Sequence, residues 1–369
     1  MPDPTVVVAL CGDVMLGRGV DQILPHPGDP TLWEDHLRDA RDYVRLAEAA
    51  NGPVPRPVDF AYPWGDALDV LDRAGAQVRV VNLETSVTTS SDAAVGKAIN
   101  YRMSPANLPC LAAVRPDCCA LANNHVLDFG PAGLAETSAA LDGAGLRTAG
   151  AGPDAEAAWR AAIVPAGAAR VVILSFGLPS SGVPSWWAAT PDRSGVAFLP
   201  EPSRREAGAV ADRVRRVRRP GDIVIASVHW GSNWGYGVGP DDRRFAYALI
   251  DGGVDVVHGH SSHHPRPIEV YRNRLILYGC GDLVNDYEGI GGHARYRADL
   301  RLLYLASVRT GTGELVGLRM APLQAHRMRL RRTSAEDSQW LRKVLDQHSR
   351  ELGTAVDLAA DGKLVARPG

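Results

Sequence analysis

Asn123-Asn124-His125-Val126-Leu127-Asp128-Phe129-Gly130 follows a short apolar run, residues 118–121. An amide, an imidazole and a carboxylate thus fall in the turn after a buried strand, and Gly130 with Pro131 marks the loop before the next helix. Amide and imidazole side by side at a strand end suit a divalent metal with an acid/base group next to it. In isolation such residues in a loop are more often structural, so the rest of the chain has to decide.

Working outward, short β-rich runs alternate with helical patterns. Residues 6–10, 77–82, 118–121, 171–175, 223–229, 254–258 and 275–278 read as buried strands, most leading into Gly, Asn, Asp or His. Residues 67–74, 134–141, 204–217 and 243–250 carry helical spacing, several closed by Gly. Such alternation predicts an α/β fold, a sheet with helices on its faces. Residues 300–308 and 315–322, joined by Thr310-Gly311-Thr312-Gly313, read as a hairpin extending the sheet, and a C-terminal helix is expected over about 335–352. A proline-rich excursion fills about 22–64, and a second insertion lies at about 178–200. With neither an internal repeat nor a low-complexity linker, the whole chain, 1–369, is expected to form one domain with elaborated loops.

Composition narrows the function classes. The chain is 45% hydrophobic and 22% charged, with a net charge of −2, which leaves no electrostatic footprint for nucleic acid. The basic run from Arg213 to Arg219 reads as a solvated helix face. Cys11, Cys110, Cys118, Cys119 and Cys280 are odd in number, lack C-x-x-C spacing and mostly sit in apolar runs, so reduced buried thiols are expected. No apolar run reaches eighteen residues and no basic leader precedes the first strand. The expectation is a cytoplasmic protein without a membrane anchor.

The strand ends form a constellation. The first ends in Gly12-Asp13, the second in Asn82-Leu83-Glu84, the third in Asn123-Asn124-His125. Further on come His229-Trp230-Gly231 and His258-Gly259-His260-Ser261-Ser262-His263-His264. In open α/β sheets the ligand site lies at the carboxyl ends of the strands. Asp, Glu, Asn, His and His therefore converge on one edge.

This ordered set, with Ile268-Glu269-Val270-Tyr271 and the stretch from Leu275 to Asp282, resembles the CapA family. That is the poly-γ-glutamate capsule branch of the calcineurin-like metallophosphoesterase fold, and the resemblance runs from about Val6 to Pro322. It implies a four-layer α/β/β/α sandwich with a metal site at the strand ends. Carried over residue by residue, it implies Asp13 and His263 as ligands of a first metal and Glu84 as a bridging carboxylate. Asn124, His229 and His260 would complete the second site. Met15 stands where the superfamily has a histidine and cannot ligate a hard ion, so one divalent metal ion (Ca, Mn or Zn) is expected, and no organic cofactor. His125 matches an imidazole acting as acid beside the metal, with Asp128 fixing its tautomer. Asp13 and His263 would be free for acid/base work as a second pair, and Asp282 would partner a site histidine. His258 reads as a hydrogen-bonded core residue and His293 as part of an exposed loop.

The loops add aromatic and cationic residues. Trp186, Trp187, Trp230 and Trp234 lie in Gly/Ser-rich loops, where they would stack on an apolar substrate group or simply pack on the surface. Lys97, Arg102 and Arg266 would receive a substrate carboxylate. Three chemistries compete: phosphoester hydrolysis, a part in poly-γ-glutamate assembly or release, and proton abstraction at a peptide Cα. The last is implied by a branch of the family known as peptide epimerases, including one that acts on the C-terminal tryptophan of a lasso peptide. It uses two acid/base pairs and needs only one metal. The expected activity is therefore a metal-dependent peptide epimerase, its partner a peptide with a free C-terminal carboxylate. A metal-stabilised binding module is the non-enzymatic alternative.

Overall fold

The computed structural model describes residues 4–368. In chain order its principal elements begin with β1 Thr5–Val14, α1 Arg41–Asn51, α2 Asp66–Arg73, β2 Val78–Leu83, β3 Cys118–Ala120, α3 Gly130–Gly143 and β4 Arg147–Ala149. They continue with β5 Ala162–Ala166, β6 Ala169–Gly177, α4 Arg204–Val217, β7 Ile223–His229, α5 Pro240–Asp251 and β8 Val256–His260. The C-terminal part holds β9 Ile268–Tyr271, β10 Arg274–Leu277, β11 Asp282–Val284, β12 Leu300–Arg309 and β13 Leu315–Ala325. It closes with β14 Leu330–Arg332, α6 Ala335–Arg350, β15 Thr354–Leu358 and β16 Leu364–Pro368.

Two sheets form. The larger runs β15-β16-β13-β12-β1-β2-β3-β4, with β11 also paired to β1 and β14 to β13; the smaller runs β9-β10-β8-β7-β6-β5. Strand periodicity explains how they stack. Val6, Val8 and Leu10 of β1 and Ile223 and Ile225 of β7 meet in one core between the sheets. The alternate residues point outward: Ala9 and Cys11 pack with Val70 and Leu71 of α2 and Leu134 of α3, while Val224, Ala226 and Val228 pack with Val210 of α4 and Phe245 of α5. The result is helix, sheet, sheet, helix, the four-layer α/β/β/α sandwich implied by the resemblance.

The read strands and helices are present with shifted ends. β1 continues four residues past its apolar run because Cys11, Asp13 and Val14 stay buried in the sheet. Helix α6 ends at Arg350, and the prolines of the first excursion flank a helix, α1. Strands β4, β5, β9, β11, β14, β15 and β16 are not among the strands read from the sequence: β4, β11 and β14 have three residues each, β5 carries Pro165 at the sheet edge, β9 carries Glu269 and Tyr271, and the last two follow the C-terminal helix. All five cysteines are buried and free. No helix among the described residues is long and apolar enough to cross a membrane.

Candidate metal centre

The site is built where β1 changes neighbours. A register shift between Leu10 and Asp13 puts Asp13 level with Asn82 of β2 on one side and with Asp282 of β11 on the other. Gly12 makes that crossing possible, since a Cβ there would lie 1.6 Å from the carbonyl oxygen of Gly281. In the other sheet His229 and His260 are direct neighbours on β7 and β8. Strand register alone thus gathers two carboxylates, an amide and two imidazoles.

Hydrogen bonds fix the tautomers of the histidine row. His258 Nε2 lies 2.8 Å from the carbonyl of Cys11, which only accepts, so Nε2 carries the proton. Burial holds His258 down at about 4, so it is neutral and its Nδ1 accepts from Ser227 Oγ at 3.0 Å. With its proton given to His258, Ser227 accepts from His260 Nε2 at 2.9 Å. Burial holds His260 neutral too, which leaves a lone pair on Nδ1, 2.8 Å from His229 Nδ1 and 3.9 Å from Asp13 Oδ1. His229 must therefore donate from Nδ1. Its Nε2 lone pair then faces Asn124 Oδ1 at 2.9 Å and Glu84 Oε1 at 3.9 Å. His229 Nε2, Asn124 Oδ1 and Glu84 Oε1 thus converge, and neither the imidazole nor the amide oxygen brings a proton to the gap.

The carboxylates make the same point. Asp13 and Glu84 share the amide of Asn82, whose Nδ2 lies 2.7 Å from Asp13 Oδ1 and 3.0 Å from Glu84 Oε2. Asp13 Oδ2 accepts from the backbone N–H of Ser261 at 3.1 Å, and Ser261 holds a φ of +106° to present it. Burial, then the Asp282 charge, pushes Asp13 up to about 7; burial, then Asp13, raises Glu84 well above the usual range. Such a cluster is short of positive charge, and a divalent cation fits its mixed oxygen and nitrogen donors. Two triplets sharing Asp13 have ligand atoms within 4.8 Å of one another: Asp13, His229 and His260, and Asp13, His263 and Asp282. Met15 is fully buried and takes no part, while Asp282 adds a carboxylate to the first side that the sequence reading gave only a partner's role.

Beside this centre stands His125. Asn123 builds its turn, its Oδ1 accepting from the N–H groups of His125 and Val126 at 3.1 Å each, so Asn123 shapes the loop. His125 Nδ1 is 2.6 Å from Asp128 Oδ2, and Nε2 is 3.8 Å from Glu84 Oε1. Tyr101 packs edge-on against the ring at 4.5 Å and donates its backbone N–H to Asp128. Burial lowers His125 to about 4 despite Asp128. Arg18 sits over Tyr101 and is itself paired with Asp286 and Glu34.

Other expected site residues are placed differently. His263 pairs through Nδ1 with Asp282 at 3.0 Å, not with Asp13; burial alone would lower it, but the Asp282 charge raises it. Lys97 lies inside the centre, its Nζ bonded to Asp128 and to the carbonyl of Asn124 and 2.9 Å from His125 Nδ1. Arg102 clamps the carbonyls of Ser90 and Asp29 at 2.8 and 2.7 Å and is no free carboxylate receptor. Arg266 is buried, bonded to the carbonyl of Gly237. Trp230 is core: it stacks on Tyr278 at 5.8 Å, and its Nε1 donates to the Tyr278 carbonyl. Trp187 is buried near Lys97, whereas Trp186 is 69% exposed. Trp234 lies 5.3 Å from the His263 ring and stacks on the exposed His293 at 3.9 Å. Asn82, Ser261 and Tyr101 were missed; the Asn before Leu83-Glu84 was the one visible signal.

The chain is 54% identical over its whole length to a probable polyglutamine synthesis accessory protein of Mycobacterium tuberculosis, covering 97% of it. It is 24% identical to the PGA biosynthesis protein CapA of Bacillus subtilis, over 88% of this chain and 73% of that one. Among solved structures, a 5'-nucleotidase precursor from Thermus thermophilus aligns with a TM-score of 0.48 and 18% identity, over 87% of this chain and 54% of that one. The family described as bacterial capsule synthesis protein PGA_cap matches residues 7–287, a span from β1 past β11 that contains every candidate ligand named above, and the chain belongs to that family.

Proposed function

We propose that this protein is a metal-dependent hydrolase that cuts an amide bond in a glutamyl or glutaminyl polymer during its synthesis. The observation that supports it best is the placement of His125: one ring nitrogen is held by Asp128, and the other faces Glu84 across 3.8 Å. The names of the relatives, a polyglutamine synthesis accessory protein and a PGA biosynthesis protein, supply the substrate class.

Asp13, Glu84, Asn124 and His229 would hold a divalent cation, with His263 and Asp282 on its other side; His260, whose Nε2–H goes to Ser227 and whose Nδ1 accepts from His229 Nδ1–H, would hold His229 in place instead of ligating. When bound, the cation supplies Lewis acidity for a substrate carbonyl and for water. His125 is neutral because burial depresses it, and Asp128 takes its Nδ1–H, so Nε2 offers a lone pair. It accepts a proton from the attacking water as the oxygen bonds to the carbonyl carbon. As the C–N bond breaks, it returns that proton to the leaving nitrogen. Lys97, ion-paired with Asp128, holds that carboxylate in place.

The epimerase expectation retains a second His/carboxylate pair, His263 with Asp282, but neither of the relatives named above points to it. The two are separated by incubating metal-loaded protein with a γ-linked glutamate oligomer in D₂O. Shorter oligomers without deuterium at Cα support hydrolysis. Deuterium at Cα in uncut oligomer would return the protein to epimerisation and sink the hydrolase.

A further inference from the structure

A cavity of about 270 Å³ opens beside the centre, with Trp234, Tyr287, Ile290, His293 and Arg301 in its wall. It shares two walls with the candidate site. Tyr287 meets the His263 ring edge-on at 5.0 Å, and Trp234 lies 5.3 Å from the same ring.

Arg301 is 2% exposed. Its Nη2 donates to Asn285 Oδ1 at 2.8 Å, while Nη1 is 3.6 Å from Asp282 Oδ2, too far for a hydrogen bond. Among the described residues neither Nε nor Nη1 has an acceptor. A buried guanidinium with two unmet donors is costly. Both atoms are closed to solvent in this structure, but Arg301 is among the residues lining the cavity, so an acceptor seated there would reach them by a small shift of the wall. The cavity's acids are already engaged. Glu288 accepts from Asn51 Nδ2 and from the N–H groups of Arg327 and Met328 at 2.5 to 2.7 Å. Asp299 is bonded at both oxygens to Arg297, at 2.9 Å each.

We propose that this cavity is a substrate subsite in which Arg301 receives the carboxylate of a glutamyl unit. The aliphatic arm of that unit lies along Trp234, Tyr287 and Ile290. The substrate class rests on the function proposed above; the acceptor chemistry rests on Arg301 alone. A carboxylate offers oxygens that only accept, and a charge-assisted bond to guanidinium is the stronger kind. A carboxamide offers one such oxygen and adds N–H groups that Nε and Nη1 cannot use.

The test is calorimetric binding to metal-loaded protein carrying His125→Ala, so that no ligand is consumed. The probes are a γ-linked glutamate trimer and the same trimer with its carboxylates amidated. The acid trimer is expected to bind at least about tenfold more tightly than the amide, the scale of one charge-assisted hydrogen bond. Arg301→Gln should abolish that preference. Ile290→Trp, at a position 48% exposed, should block the cavity and weaken the acid trimer at least about tenfold without touching the guanidinium. If Arg301→Gln does not fold, Ile290→Trp decides. Equal affinity for acid and amide, no binding of the acid trimer, or unchanged affinity in the Ile290 variant would overturn the subsite. Acid-selective binding sensitive to both changes, in a wild-type protein that never cleaves the trimer, would uphold the subsite and sink the hydrolase.

Discussion

His229 Nε2 and Asn124 Oδ1 stand 2.9 Å apart, each presenting a lone pair to the other. The carbonyl of Cys11 sets this up from a distance, by fixing His258, then Ser227, then His260, then His229. Two acceptors this close repel unless a cation lies against both. His229→Ala and Asn124→Ala are each expected to weaken Mn or Zn binding by more than the roughly 10–100-fold that loss of an outer hydrogen-bond partner costs. Calorimetric titration checks this, and wild-type affinity in both would remove them from the ligand set.

His125 is expected to act on protons and not on the metal. His125→Ala should lower turnover by about 10²–10⁴ while leaving bound metal unchanged. Asp128→Asn should lower turnover as well, because an amide N–H facing Nδ1 reverses the tautomer that Asp128 enforces. Rate and metal content measured on the same samples separate these roles. A wild-type rate in His125→Ala would take it out of the mechanism.

The tryptophans divide by burial. Trp230→Ala, which empties a site between Tyr278 and Phe245, should cost roughly 3–5 kcal/mol in urea unfolding. Trp186→Ala should change stability by less than about 0.5 kcal/mol. A reversal of that order would contradict the packing described.

Acid should destabilise the protein through His258. Its pKa falls from an ordinary 6.5 to about 4 in the fold, so the unfolded chain binds the extra proton between those values. The contribution is complete above pH 6.5 and is lost as pH falls toward 4, on the order of 3 kcal/mol. Unfolding midpoints across that range should show a shallower acid slope in His258→Gln. Metal affinity should instead rise with pH through about 7, since Asp13 must shed its proton to ligate. An affinity independent of pH would argue against Asp13 as a ligand.

Much of the fold was legible because buried strands are apolar runs and their ends are not. Asp13, Glu84, Asn124, His229 and His260 could be read as one edge, since parallel strands bring their carboxyl ends level. The relations across that edge were not legible. His263 was matched with Asp13, yet it pairs with Asp282 because β11 runs beside the end of β1, a contact no local pattern announces. Arg301 hid inside an apolar strand of the hairpin. Trp230 and Trp234 lie in one loop with the same Gly-rich flanks, and only packing separates a core ring from a cavity wall.

The most direct measurement is anomalous diffraction from crystals grown with Mn or Zn. The expected result is a peak within about 2.0–2.2 Å of His229 Nε2, shared with Asn124 and Glu84. A fully occupied ion bound elsewhere, or no peak at saturating metal, would contradict the centre described.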